Sequence, residues 1–149
     1  MVGHYLDIMK ARLGDRLHFV VDPPAALFHD LVLPPGLVLT LVENAIEHGV
    51  EPLLHGGGVE VRLQESSEAL CIDVLDEGPG LPEPLREGVG LSNTRARLAQ
   101  ALGAQARLEL RNRPAPDQGC WAQIVIPRAG AIHSNSQSAS PLNAHPVSA

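Results

Sequence analysis

Leu41-Val42-Glu43-Asn44-Ala45-Ile46-Glu47-His48-Gly49 is the stretch from which the architecture can be read. Leu37, Val38, Leu41, Val42, Ala45 and Ile46 make one apolar stripe at helical spacing, while Thr40, Glu43, Asn44, Glu47 and His48 recur at i, i+3, i+4, i+7 and i+8 on the opposite side. Proline suits a first helical turn and glycine a C-terminal stop, so the pattern predicts a helix from Pro35 to His48 that ends at Gly49. Its polar side has two readings. One is a solvated surface; the other is a Mg²⁺ site, since an asparagine among acids offers a hard cation an oxygen donor and phosphates supply others.

Outward from this helix, the periodicity changes character. Tyr5, Leu6, Met9 and Leu13 predict a helix over residues 2–13, closed by Gly14. Leu17, Phe19 and Val21 alternate with His18 and Val20 as in a strand, until Asp22-Pro23-Pro24 breaks the run. On the other side, glycines 56–58 turn into Val59–Leu63, and Leu70–Asp76 forms the second arm of a hairpin after Glu65-Ser66-Ser67-Glu68. Residues 77–90, rich in glycine and proline, predict a loop. A helix carrying Leu91, Leu98, Ala101 and Leu102 follows and is closed by Gly103, then come strands on Leu108 and Leu110 and on Ala122, Ile124 and Ile126. After Arg128 no charged residue occurs and Ser, Ala, Asn and Pro dominate, so residues 129–149 are expected to be a disordered tail. More strands than helices, with hairpins, predict an α+β fold: a two-layer α/β sandwich whose mixed sheet is covered by helices on one face.

Composition narrows the chemistry. A chain of 149 residues with 44% apolar content builds one domain with a real core, and a net charge of −6 gives nucleic acid no basic footprint. No apolar run is long enough to span a bilayer and no basic-then-apolar leader opens the chain, so a cytoplasmic location is expected. Cys71 and Cys120 lack metal or disulfide spacing and are expected to be reduced thiols. The single lysine, Lys10, lies in the first helix, which excludes a Gly-Lys-Ser/Thr phosphate loop and a Schiff-base lysine. Phosphate chemistry here rests on arginine, backbone amides or a metal.

Two further segments belong with the helix. Leu70, Ile72 and Val74 share one face of a strand and Asp76 continues the phase, so a carboxylate is aimed at the core side. It either starts a turn by accepting from the Glu77-Gly78-Pro79-Gly80 backbone or accepts from a ligand donor such as an adenine amino group. Gly88-Val89-Gly90 opens the later helix, where backbone amides and the positive helix end suit phosphates; Arg95 and Arg97 follow in its first turns, either as phosphate ligands or as solvated charges. The dinucleotide-binding pattern fails because Asn93 replaces its third glycine.

In order, Glu43-Asn44-Ala45-Ile46-Glu47-His48-Gly49, Asp76-Glu77-Gly78-Pro79-Gly80 and Gly88-Val89-Gly90-Leu91-Ser92-Asn93 resemble the N box and two glycine boxes of the GHKL ATP-binding superfamily, which includes gyrase, MutL and the histidine kinases. The stretch Tyr5–Leu17, the Leu33-Pro34-Pro35 entry and Asn93-Thr94-Arg95-Ala96-Arg97-Leu98 resemble the LytS-type sensor histidine kinases in particular. The resemblance runs from about Tyr5 to Pro127. It implies a Bergerat-type fold, ATP and Mg²⁺ as ligands, and transfer of the γ-phosphoryl group to a histidine. By matching position it implies that Asn44 binds Mg²⁺, Asp76 accepts from adenine, Gly78 and Gly80 shape the adenine pocket, and Gly88 and Gly90 flex a lid running into Leu91. Glu43 and His48 would lie near the phosphates, with Glu43 an acid/base or positioning residue, and Asn93 and Arg95 would follow the lid.

Three positions depart from the pattern. Thr40 stands where hydrolytic members carry the water-activating glutamate, Glu47 where many kinases carry a phosphate-binding lysine, and Cys120 where a threonine is common. His4 and His18 lack the context of the family's phosphoacceptor. The resemblance therefore implies residues 1–14 as the end of a dimerisation helix and linker, residues 15–128 as the ATP-binding domain, and an acceptor and dimerisation domain met in cis or in trans, with a response regulator downstream. No nucleic-acid partner and no membrane segment in this chain are expected, although full-length relatives are often membrane-anchored. A nucleotide-binding interaction module without phosphotransfer, or an anti-sigma-factor-type serine kinase, remain the alternatives.

Overall fold

Burying the apolar stripe of the central helix requires a sheet beneath it, and five strands supply one. The structure is a computed structural model that describes residues 1–23 and 26–128; the expected tail lies outside the described residues. The elements in order are α1 (Val2–Leu13), β1 (Leu17–Val21), α2 (Ala26–His29), α3 (Leu37–Asn44), β2 (Gly57–Glu65), β3 (Ala69–Asp76), α4 (Val89–Leu102), β4 (Arg107–Asn112) and β5 (Cys120–Pro127). The strands order as β1-β2-β3-β5-β4 in one mixed sheet. β1 runs parallel to β2, while β2–β3, β3–β5 and β5–β4 are antiparallel.

Period-two alternation places Val59 and Val61, Leu70, Ile72 and Val74, Leu108, and Ala122, Ile124 and Ile126 on one face, where they are buried with Leu6 and Met9 of α1, Leu37, Leu41 and Val42 of α3 and Leu98 and Leu102 of α4. α1 thus shares the common core. It ends at Gly14, whose positive φ of 58° suits glycine and whose N–H donates to the Lys10 carbonyl. Arg16 then donates to the carbonyls of Glu51 (3.1 Å) and Leu53 (2.8 Å), fastening the start of β1 to the far end of the central helix. At the β2–β3 turn, Ser66 Oγ accepts from the Glu68 (3.2 Å) and Ala69 (3.0 Å) amides.

The helix-free face departs from simple alternation. Asp73, which alternation aims away from the helices, is fully buried; its Oδ1 accepts from Trp121 Nε1 (3.0 Å) and Gln123 Nε2 (2.8 Å). Arg111 covers the Trp121 ring at 3.7 Å from its centroid. That face is roofed by its own side chains.

The central helix also departs from expectation. Regular α-helix begins at Leu37 after Gly36 and stops at Asn44; residues Ala45–Val50 continue as a π-turn, with Glu51 N–H donating to the Ile46 carbonyl at 2.9 Å. Gly49 therefore does not end the helix but lies buried within it, because the wider turn presses the backbone against β3: a Cβ on Gly49 would stand 2.5 Å from Asp76 Cγ. α4 likewise begins at Val89, slightly earlier than the periodicity indicates.

Gly49→Ala is expected to destabilise the chain by about 1–3 kcal/mol through overpacking. Gly3→Ala, where no atom lies within 4 Å of the added methyl, should be neutral or gain up to about 1 kcal/mol of helix propensity. Urea unfolding of both variants checks the contrast.

Candidate functional site

A cavity of about 510 Å³ opens between α3, the end of β3 and the segment that precedes α4. Its wall includes Leu41, Asn44, Ala45 and His48 from α3 and its π-turn, Val74 and Asp76 from β3, Cys120 and Ala122 from β5, Leu110 from β4, and Gly80 to Leu91 in part. Its inner wall is apolar, with few polar groups, the character of a small-molecule pocket.

Asp76 is the polar group held deepest, at 6% exposure. Oδ1 accepts from the backbone N–H of Gly78 (2.8 Å) and of Cys120 (3.1 Å). Oδ2 has no donor among the described residues and is not sealed from the cavity that Asp76 lines. One oxygen thus builds the turn, as a turn-starting aspartate does, while the other is left without a protein donor beside the cavity. Burial pushes the carboxyl above its ordinary value, opposed by the two amide donors and by Arg113 and His48. The same burial, with the Asp76 charge beside it, pushes the Cys120 thiol up to about 12.

Backbone approaches make this arrangement possible. Gly78 packs directly on Gly49, and Gly119 on the Asp76 carbonyl, so tightly that neither could carry a Cβ. Leu81 N–H donates to Asn112 Oδ1 at 2.7 Å, which ties the start of the segment between β3 and α4 to β4. At the other end Arg95 grips both carboxylate oxygens of Glu87, with Nε at 2.9 and 3.1 Å and Nη2 at 2.6 Å, and also donates to the Leu108 carbonyl.

The residues singled out from sequence divide accordingly. Asn44, His48, Asp76, Gly80, Gly88, Gly90 and Leu91 meet at one cavity. Gly78 sits behind its wall. Glu43, Glu47 and Asn93 are exposed and outside the lining, and Arg95 and Arg97 are engaged by Glu87 and by the Pro35 carbonyl (2.5 Å), respectively. His48 adjoins Gly49, which packs against Asp76, and so lines the cavity beside Asp76. Arg86, in a loop with no periodicity to flag it, lines the cavity and was not singled out.

The lining fits a metal held mainly by its ligand. Among the described residues no three His, Cys, Asp or Glu side chains cluster as a metal site. Asn44, however, has a buried side-chain amide atom, assigned as Nδ2, with no partner. An amide so placed presents either a donor or, rotated, an oxygen to whatever enters the cavity.

Residues 36–130 match the family described as histidine kinase-, DNA gyrase B- and HSP90-like ATPase. The chain is similar to the sensor histidine kinase YesM of Bacillus subtilis, 31% identical over 133 residues, covering 85% of this chain and 22% of that protein. It is also similar to the sensor protein LytS of Oceanobacillus iheyensis, 28% identical over 138 residues, covering 83% of this chain and 23% of that one. The chain thus spans about a fifth of the length of these relatives. Among solved structures, the catalytic domain of the histidine kinase ThkA superimposes with a TM-score of 0.60 at 21% identity, over 85% of this chain and 86% of that domain, a likeness of fold. Among the described residues no helix is long and apolar enough to cross a membrane.

The raised Asp76 pKa carries a stability consequence. A carboxyl that holds its proton more tightly folded than unfolded favours the fold fully below the unfolded pKa and loses that contribution as pH rises through the folded value. Asp76→Asn, which keeps an oxygen for the Gly78 and Cys120 amides, should remove the loss. Its stability relative to wild type, measured by urea unfolding without ligand, is therefore expected to grow between about pH 4 and pH 7.

Proposed function

Because the chain belongs to the histidine kinase-, DNA gyrase B- and HSP90-like ATPase family, we propose that it is the ATP-binding catalytic domain of a sensor histidine kinase that donates the γ-phosphoryl group of ATP to a histidine on an acceptor domain. The observation that carries this reading is the divided carboxylate of Asp76: one oxygen is held by backbone amides and the other is open to a mostly apolar cavity, the arrangement that accepts an exocyclic amino group from a flat base. His48 adjoins the same end.

The long axis of the site follows α3. Gly49 at the end of its π-turn touches Asp76, while Gly90 at the start of α4 approaches the Thr40 side chain, its added Cβ 3.7 Å from Cγ2. Thr40 and Gly49 are nine residues apart, about 13 Å of helix rise, comparable to the reach from a base to the outer phosphates of a nucleotide. Asn44 lies between them and would hold Mg²⁺, which neutralises phosphate charge when bound. Gly88 and Gly90 open α4 toward the same end, where unpaired helix amides receive phosphate oxygens. Glu43 adjoins Asn44 on the outer side of the helix, placed to meet an incoming acceptor, and Arg95 acts through Glu87 on the lid. Asn93, exposed on the first turn of α4, borders that lid.

Thr40 is unfit as a general base: a threonine has no proton-accepting charge, and its hydroxyl donates to the Gly36 carbonyl at 3.0 Å. Hydrolysis should therefore be slow. His4 on α1 and His18 on β1 lie outside the cavity lining, so neither is offered the γ-phosphate.

Asp76→Ala is expected to weaken ATP binding by about 10- to 150-fold, the worth of a charge-assisted hydrogen bond of roughly 1.5–3 kcal/mol, in a chain that remains folded. Asn44→Ala should lose affinity chiefly when Mg²⁺ is present. Calorimetric titration with and without the metal checks both. With γ-labelled ATP, the wild-type chain should transfer acid-labile phosphate to a supplied LytS-type acceptor domain while releasing little phosphate and labelling no residue of its own. Binding without transfer would instead identify a nucleotide-sensing module.

A further inference from the structure

The chain carries eleven Lys and Arg side chains, and ten of them are already engaged. Lys10 donates to the Leu17 carbonyl and Arg16 to those of Glu51 and Leu53. Arg12, Arg62, Arg95, Arg107, Arg111, Arg113 and Arg128 each pair with a carboxylate, and Arg97 donates to the Pro35 carbonyl. Arg86 is the eleventh. It has no carboxylate or carbonyl partner among the described residues, and it is the only lysine or arginine that lines the cavity.

Its backbone is not left to wander. The lid segment is tied at Leu81 by Asn112 and at Glu87, the next residue after Arg86, by the two-pronged grip of Arg95, itself bonded to β4. Between these ties run only residues 82–86. Arg86 therefore stands two residues before Gly88, the N-cap of α4, in the wall of the cavity that Asp76 also lines. Glu47, in the π-turn that continues α3, adds no positive charge to the site.

We propose that Arg86 is the phosphate-recognising side chain of this site, the charge that distinguishes a nucleotide carrying its outer phosphates from one lacking them, with Arg95 and Glu87 as positioning residues that present it. The proposal rests on the nucleotide reading above. A guanidinium suits the task because its fork donates two hydrogen bonds to one phosphate and keeps its charge at every working pH. A free cation in a chain of net charge −6 also offsets the repulsion that a polyanion meets on approach.

The test is calorimetric titration of ATP and AMP, with Mg²⁺ and at two salt concentrations, into wild type, Arg86→Ala, Arg86→Lys and the charge-matched control Arg107→Ala. The expected result is a loss of roughly 10-fold in ATP affinity for Arg86→Ala with AMP affinity unchanged. Arg86→Lys should be intermediate, Arg107→Ala should match wild type, and the salt dependence of ATP binding should become shallower in Arg86→Ala. Unchanged ATP affinity in Arg86→Ala overturns the proposal, as does an equal loss for ATP and AMP, which would make Arg86 a support of the lid. A wild-type chain that binds neither nucleotide overturns the nucleotide reading itself, an outcome distinct from either.

Discussion

A carboxylate taken out of water must be given hydrogen-bond donors, and the donors nearest a strand end are backbone amides that reach it only if the chain folds back tightly. Asp76 imposes that requirement here. Its Oδ1 needs the amides of Gly78 and Cys120, which brings the loop after β3 and the start of β5 together over the same atom. Space for them comes from removing side chains: Gly49, Gly78 and Gly119 meet around Asp76 at distances no Cβ would survive. The π-turn in the central helix is the other half of the solution, since its extra width carries Gly49 to the strand. Cavity, turn and lid anchor all follow from one buried charge.

The opposite face of β3 answers the same problem with side chains. Asp73 cannot use loop amides in the middle of a strand, because those are committed to the ladders with β2 and β5. Gln123 and Trp121, its cross-strand and diagonal neighbours on β5, serve instead, and Arg111 closes over the indole. A sheet with helices on one side only is thereby stiffened on the other. β3 enters the cavity wall as a strand braced on both faces.

Much of this was legible in sequence because it rests on period. The stripe from Leu37 to Ile46, the phase from Leu70 to Asp76 and the alternation on the last strands each state which face is buried, and the mixed sheet with its helical layer follows. Other features carry no period. A π-turn looks like helix until its hydrogen bonds are seen, so Gly49 reads as a stop when it is a point of contact. Arg95 sits at the turn of α4 where a phosphate ligand is expected, yet Glu87, eight residues earlier, claims it through the fold of the lid. The burial of Asp73 is invisible to local pattern because the Trp121 and Gln123 that bond it lie 48 and 50 residues away. Arg86 is visible only by subtraction, once every other cation has a partner.

Cys120 gives the cavity a chemical character of its own. Attack on an electrophile or an oxidant requires thiolate, and a thiol that holds its proton up to about pH 12 presents almost none at neutrality. Burial first, and then the charge of Asp76 beside it, keep this sulfur protonated. A thiol held in its protonated form is a poor entry point to the sulfenic and sulfinic states.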